Sequence, residues 1–570
     1  MKRIAVLVAL LAALPLTGTA DAASKVASNA ARSPERQVDA LFARWNRPGM
    51  PGAVVAVIRD GKLVLGKGYG LADIEHGVPM SPASEVVIGS MSKQFTAFAI
   101  QLLAQDGKVS LDDDIHMYLP DVPDFGRKIT IRHLLHHTSG LRDYFGLMFM
   151  AGLRGDDVIT EDTALALIGR QRALNFEPGQ EWAYSNTGYL LLGRIVQRVS
   201  GKALPEFARE RIFVPLGMTH TAFQHEYGSL VPGRALPYEP SERGGYKYVA
   251  VSVATTGDGG VLTTLGDLAL WDSNFYDGRV GGMDVIKRMQ ATGVLNDGKP
   301  IEYASGLFVS SYRGLRLVEH SGAIAGYGAQ LWRFPDQRLS VIVLANTSDL
   351  NTFRMVSSIA DIYLGGAPGI QPAAPAAPEH AFSAIGTDPA RFDALVGYYA
   401  TSPETGVRFT KEDGRLMALG TGFPKIPVFA YGERAFFARS TDAQFTFDAP
   451  GKDGVVAGGT LHLGGQDIPA TRIARPVPSD AELHRYEGDF YSDELHVLYS
   501  VTARDGDLVL TFPRGTVTLG FSPRGEYGTG FGDIRYRCNA GERCTGFTLG
   551  TSKARNLQFT RVALPGSATK

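Results

Sequence analysis

The chain has 570 residues, too many for one hydrophobic core, and at roughly 150 residues per domain it should divide into three or four units. Its composition, 44% hydrophobic and 20% charged, is that of a globular protein rather than a disordered or fibrous one. A formal net charge of −1 and the lack of any basic block argue against nucleic acid or an anionic membrane surface as partner.

Lys2 and Arg3 precede an apolar run over residues 4–16, and Ala20-Asp21-Ala22 follows as a small-x-small site. The run is shorter than the ~20 residues a spanning helix needs. Residues 1–22 therefore read as a signal peptide cleaved after Ala22, with no cysteine next to it to carry a lipid. The expected location is periplasmic or secreted, with no stable membrane anchor after cleavage.

The first block, residues 33–364, mixes strands and helices. "AVVAVIRDGKLVLGKGYG" (53–70) reads as two strands joined at Asp60-Gly61, a hairpin signal. In "GSMSKQFTAFAIQLLAQDG" (89–107), Phe95, Phe98, Ala99, Leu102 and Leu103 recur at helical spacing, and Gly107 stands where a C-terminal cap is expected. Ser90 and Lys93, three residues apart, share one face at the front of this apolar helix. An ammonium there is costly unless it is paired or gives up its proton. The plain alternative is a lysine snorkelling from the first turn beside an incidental serine.

Further along, "IRHLLHHTSGL" (131–141) gathers His133, His136 and His137, but no carboxylate at ligand spacing completes a metal set. Capping is their better reading, and neither metal nor cofactor is expected. "FEPGQEWAYSNTGYLLLG" (176–193) passes through a Pro178-Gly179 turn to Tyr184-Ser185-Asn186, just ahead of an apolar helix over 187–200. Thr264-x-x-Asp267 resembles a capping box. Residues 315–348 hold three strands with Pro335-Asp336 in a turn. His320-Ser321-Gly322 lies on the first of them, where the glycine would let a substrate lie close to the backbone. Strands at both ends of the block around a helical middle predict an antiparallel sheet with a helical insert.

A Pro/Ala/Gly-rich linker follows over 365–383. Beyond it the chain is duplicated. "LVGYY" (395–399) recurs as "YEGDFY" (486–491), "KEDGRLMAL" (411–419) as "ARDGDLVL" (503–510), "FAYGERAFF" (429–437) as "FSPRGEYGTGF" (521–531) and "ATRIA" (470–474) as "FTRVA" (559–563). Short alternating strands between Gly and Asp-Gly turns predict two tandem all-β barrels, 384–475 and 478–565, divided near Pro476. The only cysteines, Cys538 and Cys544, are too few for a zinc knuckle and should form a local disulfide in an oxidising compartment. A chain ending near Pro375 is expected to fold without the barrels.

No G-x-S-x-G elbow, P-loop, dinucleotide fingerprint or H-E-x-x-H occurs, which sets aside several hydrolase and nucleotide-binding classes. What does occur, in order, is Ser90-Met91-Ser92-Lys93, Tyr184-Ser185-Asn186 and His320-Ser321-Gly322. This set resembles the serine β-lactamase and penicillin-binding-protein family, in the class C-like branch where tyrosine replaces the middle serine of S-D-N. "IRHLLHHTSGLRDY", "PLGMTHT" (215–221) and "GDGGVLTTLGDLALW" (257–271) also look like that family. The resemblance spans the first block. It implies an α/β catalytic domain with an antiparallel sheet flanked by helices and a helical subdomain, here followed by two lipocalin-like barrels. One catalytic domain with two barrels is similar to bacterial D-aminopeptidases, in which a barrel loop reaches the active site.

By resemblance, Ser90 attacks a carbonyl and forms an acyl-enzyme, Lys93 or Tyr184 takes its proton, and Tyr184 returns it to the leaving group. Asn186 orients Lys93 and the substrate amide, and the backbone N–H groups of Ser90 and Ala323 form the oxyanion hole. The departure is His320, where penicillin-recognising members carry the lysine of K-T-G. An imidazole with an ordinary pKa of about 6.5 is a poor carboxylate partner at pH 7 and should improve toward pH 6. The favoured expectation is an exported serine hydrolase of peptides, amides or esters, D-aminopeptidase- or esterase-like, with a small-molecule or peptide substrate. A β-lactamase or D-Ala-D-Ala carboxypeptidase is the alternative, and a non-catalytic binding or sensor protein with a relic site is the second.

Overall fold

A computed structural model describes residues 33–563, apart from short internal stretches at 225, 242, 373–381, 403–404, 421–424, 440–442, 464–465, 475–478, 505, 522–526, 530–531 and 540. The signal-peptide assignment, the central part of the linker and the division near Pro476 lie outside the described residues.

The first block is built on one antiparallel sheet whose strands come from both ends of the block. They are β1 (Ala53–Arg59), β2 (Lys62–Tyr69), β3 (Phe308–Tyr312), β4 (Leu315–Ile324), β5 (Tyr327–Phe334) and β6 (Leu339–Ala345), ordered β3-β4-β5-β6-β1-β2. The β1–β2 turn has Asp60 and Gly61 at φ 52° and 72°, the left-handed pair that a two-residue hairpin needs. Ala53 pairs with Ala345 and Arg59 with Leu339, so the two ends of the block are sealed together at mid-sheet. β1 and β6 are buried on both faces. That is why they read as unbroken apolar runs rather than as alternation.

One face of the sheet carries α1 (Pro34–Phe42) and, at the end of the block, α5 (Thr352–Leu364). Val38, Phe42, Val55, Val57, Val341, Val343, Val356 and Ile359 meet there. The other face carries α2 (Lys93–Gln105), α3 (Asn186–Ser200) and α4 (Leu265–Asp277), with Val54, Ala56, Ile342 and Leu344 packed toward Phe95, Phe98, Trp271 and Phe275. The helical insert thus lies on one side of the sheet, as the strand–helix–strand order predicts.

The chain's second half forms two barrel-like sheets. Eight strands from Gly397–Ala400 to Gln466–Ile473 close on themselves, and Tyr399, Phe409, Phe445 and Phe447 make mutual ring contacts inside, beside a cavity of about 210 Å³. The second sheet has nine strands, but its two end strands, Gly515–Thr518 and Gly520–Phe521, are chain neighbours separated only by Leu519. Counted as one broken strand, they restore the eight positions of the first barrel, and the duplicated segments fall on equivalent hairpins. Cys538 and Cys544 are disulfide-bonded within it.

The barrels differ in how they attach. The first has its own buried cluster. Phe490, Tyr499, Phe547 and Phe559 of the second belong instead to the cluster that holds Tyr144, Leu147 and Met150 of the first block. The Tyr499 hydroxyl donates to the Met150 carbonyl at 2.7 Å, and the Arg142 guanidinium pairs with Glu494 at 2.5 Å, with both side chains buried. A chain ending near Pro375, expected to fold unaided, would expose that apolar surface and leave Arg142 without its carboxylate partner.

Candidate active site

Ser90 does not lie on the helix proper. It belongs to a 3-10 turn, Gly89–Ser92, that feeds α2. Side chains at i and i+3 eclipse in a 3-10 turn, so Lys93 is brought directly beside Ser90. Two glycines allow the approach. A Cβ on Gly89, at φ 50°, would come 2.8 Å from the Ala323 nitrogen, and a Cβ on Gly322 would come 1.9 Å from the Ile88 carbonyl oxygen. The role expected of Gly322 is thereby altered. Its missing side chain admits the Ser90 turn against β4, and that contact brings the Ala323 backbone up to the turn.

Lys93 is fully buried and has three acceptors: Ser90 Oγ at 3.1 Å, Asn186 Oδ1 at 2.8 Å and the Asp258 carbonyl at 2.6 Å. An ammonium has three protons for three such partners. A neutral amine would keep the two shorter bonds and turn its lone pair to the Ser90 hydroxyl. The site therefore accommodates both protonation states with little rearrangement. Asn186 opens α3, yet its side chain does not cap the helix. It is held by Asp143, whose Oδ2 accepts from both the Asn186 backbone N–H at 2.6 Å and the side-chain amide at 2.9 Å. Asp258 is also buried. Tyr144 donates to its Oδ2 at 2.8 Å, and desolvation raises its pKa against the lowering effect of Lys93. Asp143, Tyr144 and Asp258 were not singled out from the sequence. The runs "GLRDY" around Asp143 and Tyr144 and "GDGGV" around Asp258 offered only family likeness.

Tyr184 presents its ring 4.9 Å from Lys93 Nζ, and its buried hydroxyl has no hydrogen-bond partner. His137 packs on that ring at 4.3 Å and accepts from the Ser185 N–H through Nδ1. His133 supplies the side-chain half of a capping box with Thr130. The histidine cluster is thus spent on capping and packing. A cavity of about 150 Å³ opens beside Ile324 at the end of β4, lined in part by Phe145, Tyr248, Thr255 and Asp258.

His320 is buried, with both nitrogens engaged. Nδ1 donates to the Ser321 carbonyl at 2.6 Å, and Nε2 accepts from the Tyr303 hydroxyl at 3.0 Å. Burial, aided by the nearby Lys93 charge, lowers its pKa to about 3. The expectation that pH 6 would charge this imidazole is therefore corrected: it stays neutral through the physiological range.

Burial also lowers His136 to about 4. In the unfolded chain such a histidine titrates near 6.5, so between about pH 6.5 and 4 the unfolded state binds the extra proton. Its contribution is present above 6.5 and lost with acid, by up to about 1.4 kcal/mol per pH unit for one group. Glu319, raised by burial to about 7, works in the opposite sense between its ordinary range and neutrality. Comparing wild type with His136→Gln isolates the histidine. Denaturant titrations at pH 7, 5.5 and 4.5 should show the variant losing less stability on acidification, and parallel losses would contradict the assignment.

A sequence profile of the family described as Beta-lactamase matches residues 37–362. The chain is 29% identical over 431 residues to Penicillin-binding protein 4* of Bacillus subtilis (strain 168), covering 72% of this chain and 93% of that protein. It is 30% identical over 394 residues to a D-aminopeptidase of Brucella melitensis biotype 2, covering 67% and 70% respectively. Among solved structures, the octameric penicillin-binding protein homologue from Pyrococcus abyssi aligns with a TM-score of 0.53 at 23% identity, over 85% of this chain and 99% of that one. At that identity the likeness concerns the fold.

Proposed function

The chain belongs to the beta-lactamase family, and from that premise we propose that it is an exported serine hydrolase that cleaves peptide or amide bonds through an acyl-enzyme on Ser90, with D-configured acyl groups preferred. The observation that carries this reading is the buried contact set of Lys93, which joins Ser90, Asn186 and the Asp258 carbonyl around one amine. A relic site would have no need to keep a cation in so costly a place.

In the proposed reaction Ser90 Oγ attacks the scissile carbonyl as its proton passes to Lys93 or Tyr184. Lys93 Nζ lies 4.9 Å from the centroid of the Tyr184 ring. Negative charge on the carbonyl oxygen is met by the backbone N–H groups of Ser90 and Ala323, donors of the kind that act mainly in the transition state. The Tyr184 hydroxyl, free of any other partner, then protonates the departing amine, and where Lys93 took the serine proton, Lys93 passes it on to Tyr184. Water repeats the sequence on the acyl-enzyme and regenerates Ser90. Asn186, fixed by Asp143, keeps Lys93 in register and has its amide available to the acyl side of the substrate. The D-preference is supported by the relatives named D-aminopeptidase. Neutral His320 provides no charge on β4 for a substrate carboxylate. Export rests on residues 1–22 alone.

The test combines labelling with kinetics. A fluorophosphonate adduct should map to Ser90, and kcat/KM should rank a D-aminoacyl p-nitroanilide above its L enantiomer. An adduct on Ser92, Ser139 or Ser321 would overturn the nucleophile, and an L preference would overturn the stereochemistry.

A further inference from the structure

Neutral His320 offers no charge where β4 meets the Ser90 turn, yet a cation stands near Tyr184, delivered by the second barrel. The loop over residues 551–556 joins the barrel's last two strands, Gly546–Gly550 and Leu557–Val562. Its backbone is pinned to the first block. The Lys553 carbonyl accepts from the Asp143 N–H at 2.9 Å and from Asn175 Nδ2 at 3.0 Å, and the Arg555 N–H donates to Asn175 Oδ1 at 2.7 Å. Ala554 is fully buried, and a Cβ on Gly146 would touch it at 3.7 Å. The loop thus rests on Asp143, the same residue that holds Asn186.

The Lys553 side chain is free of this anchoring work. It is exposed, and its ammonium lies 5.7 Å from the centroid of the Tyr184 ring. Among the described residues no carboxylate pairs with it. Glu181, on the turn leading to Tyr184, is bound by Arg555, and Asp143 Oδ2 is taken by Asn186. Lys93, the other cation near the ring, is buried with all its protons accepted.

We propose that Lys553 is a carboxylate-binding residue of the active site and selects substrates whose leaving group carries an acid group. The inference rests on the serine hydrolase reading, in which Tyr184 protonates the leaving amine, and it assigns the cation near the Tyr184 ring to the leaving-group side. The second barrel supplies from another part of the chain the charge that the K-T-G lysine supplies in penicillin-recognising relatives. A short peptide with a free C-terminus meets this cation, and its C-terminal amide does not.

The test is the ratio of kcat/KM for a substrate with a free carboxylate on its leaving group to that for the matching carboxamide. Lys553→Met should lower this ratio about tenfold, the loss of one charge-assisted contact. Lys553→Arg should retain it, and Lys553→Glu should lower it further. The wild-type preference should also shrink as salt screens the pair. Because only the Lys553 backbone makes the anchoring contacts, these variants keep the loop's hydrogen bonds. An unchanged ratio in Lys553→Met, or an arginine variant as impaired as the methionine one, overturns the proposal. Running the pairs with both D- and L-acyl groups separates this result from the stereochemical one. Failure of fluorophosphonate to label the wild-type protein at Ser90 would remove the hydrolase reading and the subsite with it.

Discussion

Lys93→Met is expected to lower kcat/KM on the order of a thousandfold or more, the scale on which a positioned base acts. Methionine keeps the length and apolar stem of the lysine but offers no proton and no lone pair of comparable basicity. The Ser90 hydroxyl then has no base within hydrogen-bonding distance, and Tyr184 loses the charge that lies 4.9 Å from its ring. The defect should fall on acylation, so fluorophosphonate labelling should slow along with turnover. Residues that act as one unit do not contribute additively. Ser90→Ala combined with Lys93→Met should therefore be little worse than either change alone, whereas multiplied losses would mean that lysine and serine act separately.

Glu494→Ala is expected to cost about 3–5 kcal/mol of stability, the range found when one partner of a buried ion pair is removed. The Arg142 guanidinium and the Glu494 carboxylate are 0% and 2% exposed, and the glutamate also accepts from the backbone N–H groups of Arg172 at 3.0 Å and Gln558 at 3.2 Å. Alanine leaves a desolvated cation and two unmet donors at the seam between the first block and the second barrel. Burial already lowers the pKa of Arg142, which measures how poorly the site tolerates that charge unpaired. Denaturant unfolding should show the loss. The double variant Arg142→Met, Glu494→Leu should be more stable than either single variant, because an apolar pair needs no compensation. If the double variant is the least stable, packing rather than charge holds the seam. Since Arg142 precedes Asp143, the support of Asn186, Glu494→Ala should also reduce activity.

Much of the site was legible because its chemistry is local. Ser90 and Lys93 are three residues apart, the helix behind them announces itself by period, and Tyr184 and Asn186 sit at a turn-to-helix junction that proline and glycine mark. The histidines could be set aside for want of ligand spacing, and they proved to be capping and packing groups. Where one element's pattern carried the information, as in the Asp60-Gly61 hairpin or the duplicated barrel hairpins, sequence and structure agree.

By itself the sequence determined the neighbourhood of Ser90 and Lys93, the antiparallel sheet with its helical insert, and the two barrels of the second half. Periodicity and turn chemistry act over a few residues and survive in one dimension. Only the tertiary structure decided what depends on groups far apart in the chain. It buried His320 beside Lys93 and so held the imidazole neutral, where an isolated histidine would titrate near pH 6.5. It put Asp143 under Asn186, and Gly322 against Ile88. It also joined Glu494 to Arg142 and brought Lys553 near Tyr184, which made the second barrel part of the first block's core and a neighbour of its candidate site. Desolvation and charge pairing are set by which surfaces meet, and no local spacing along the chain records that.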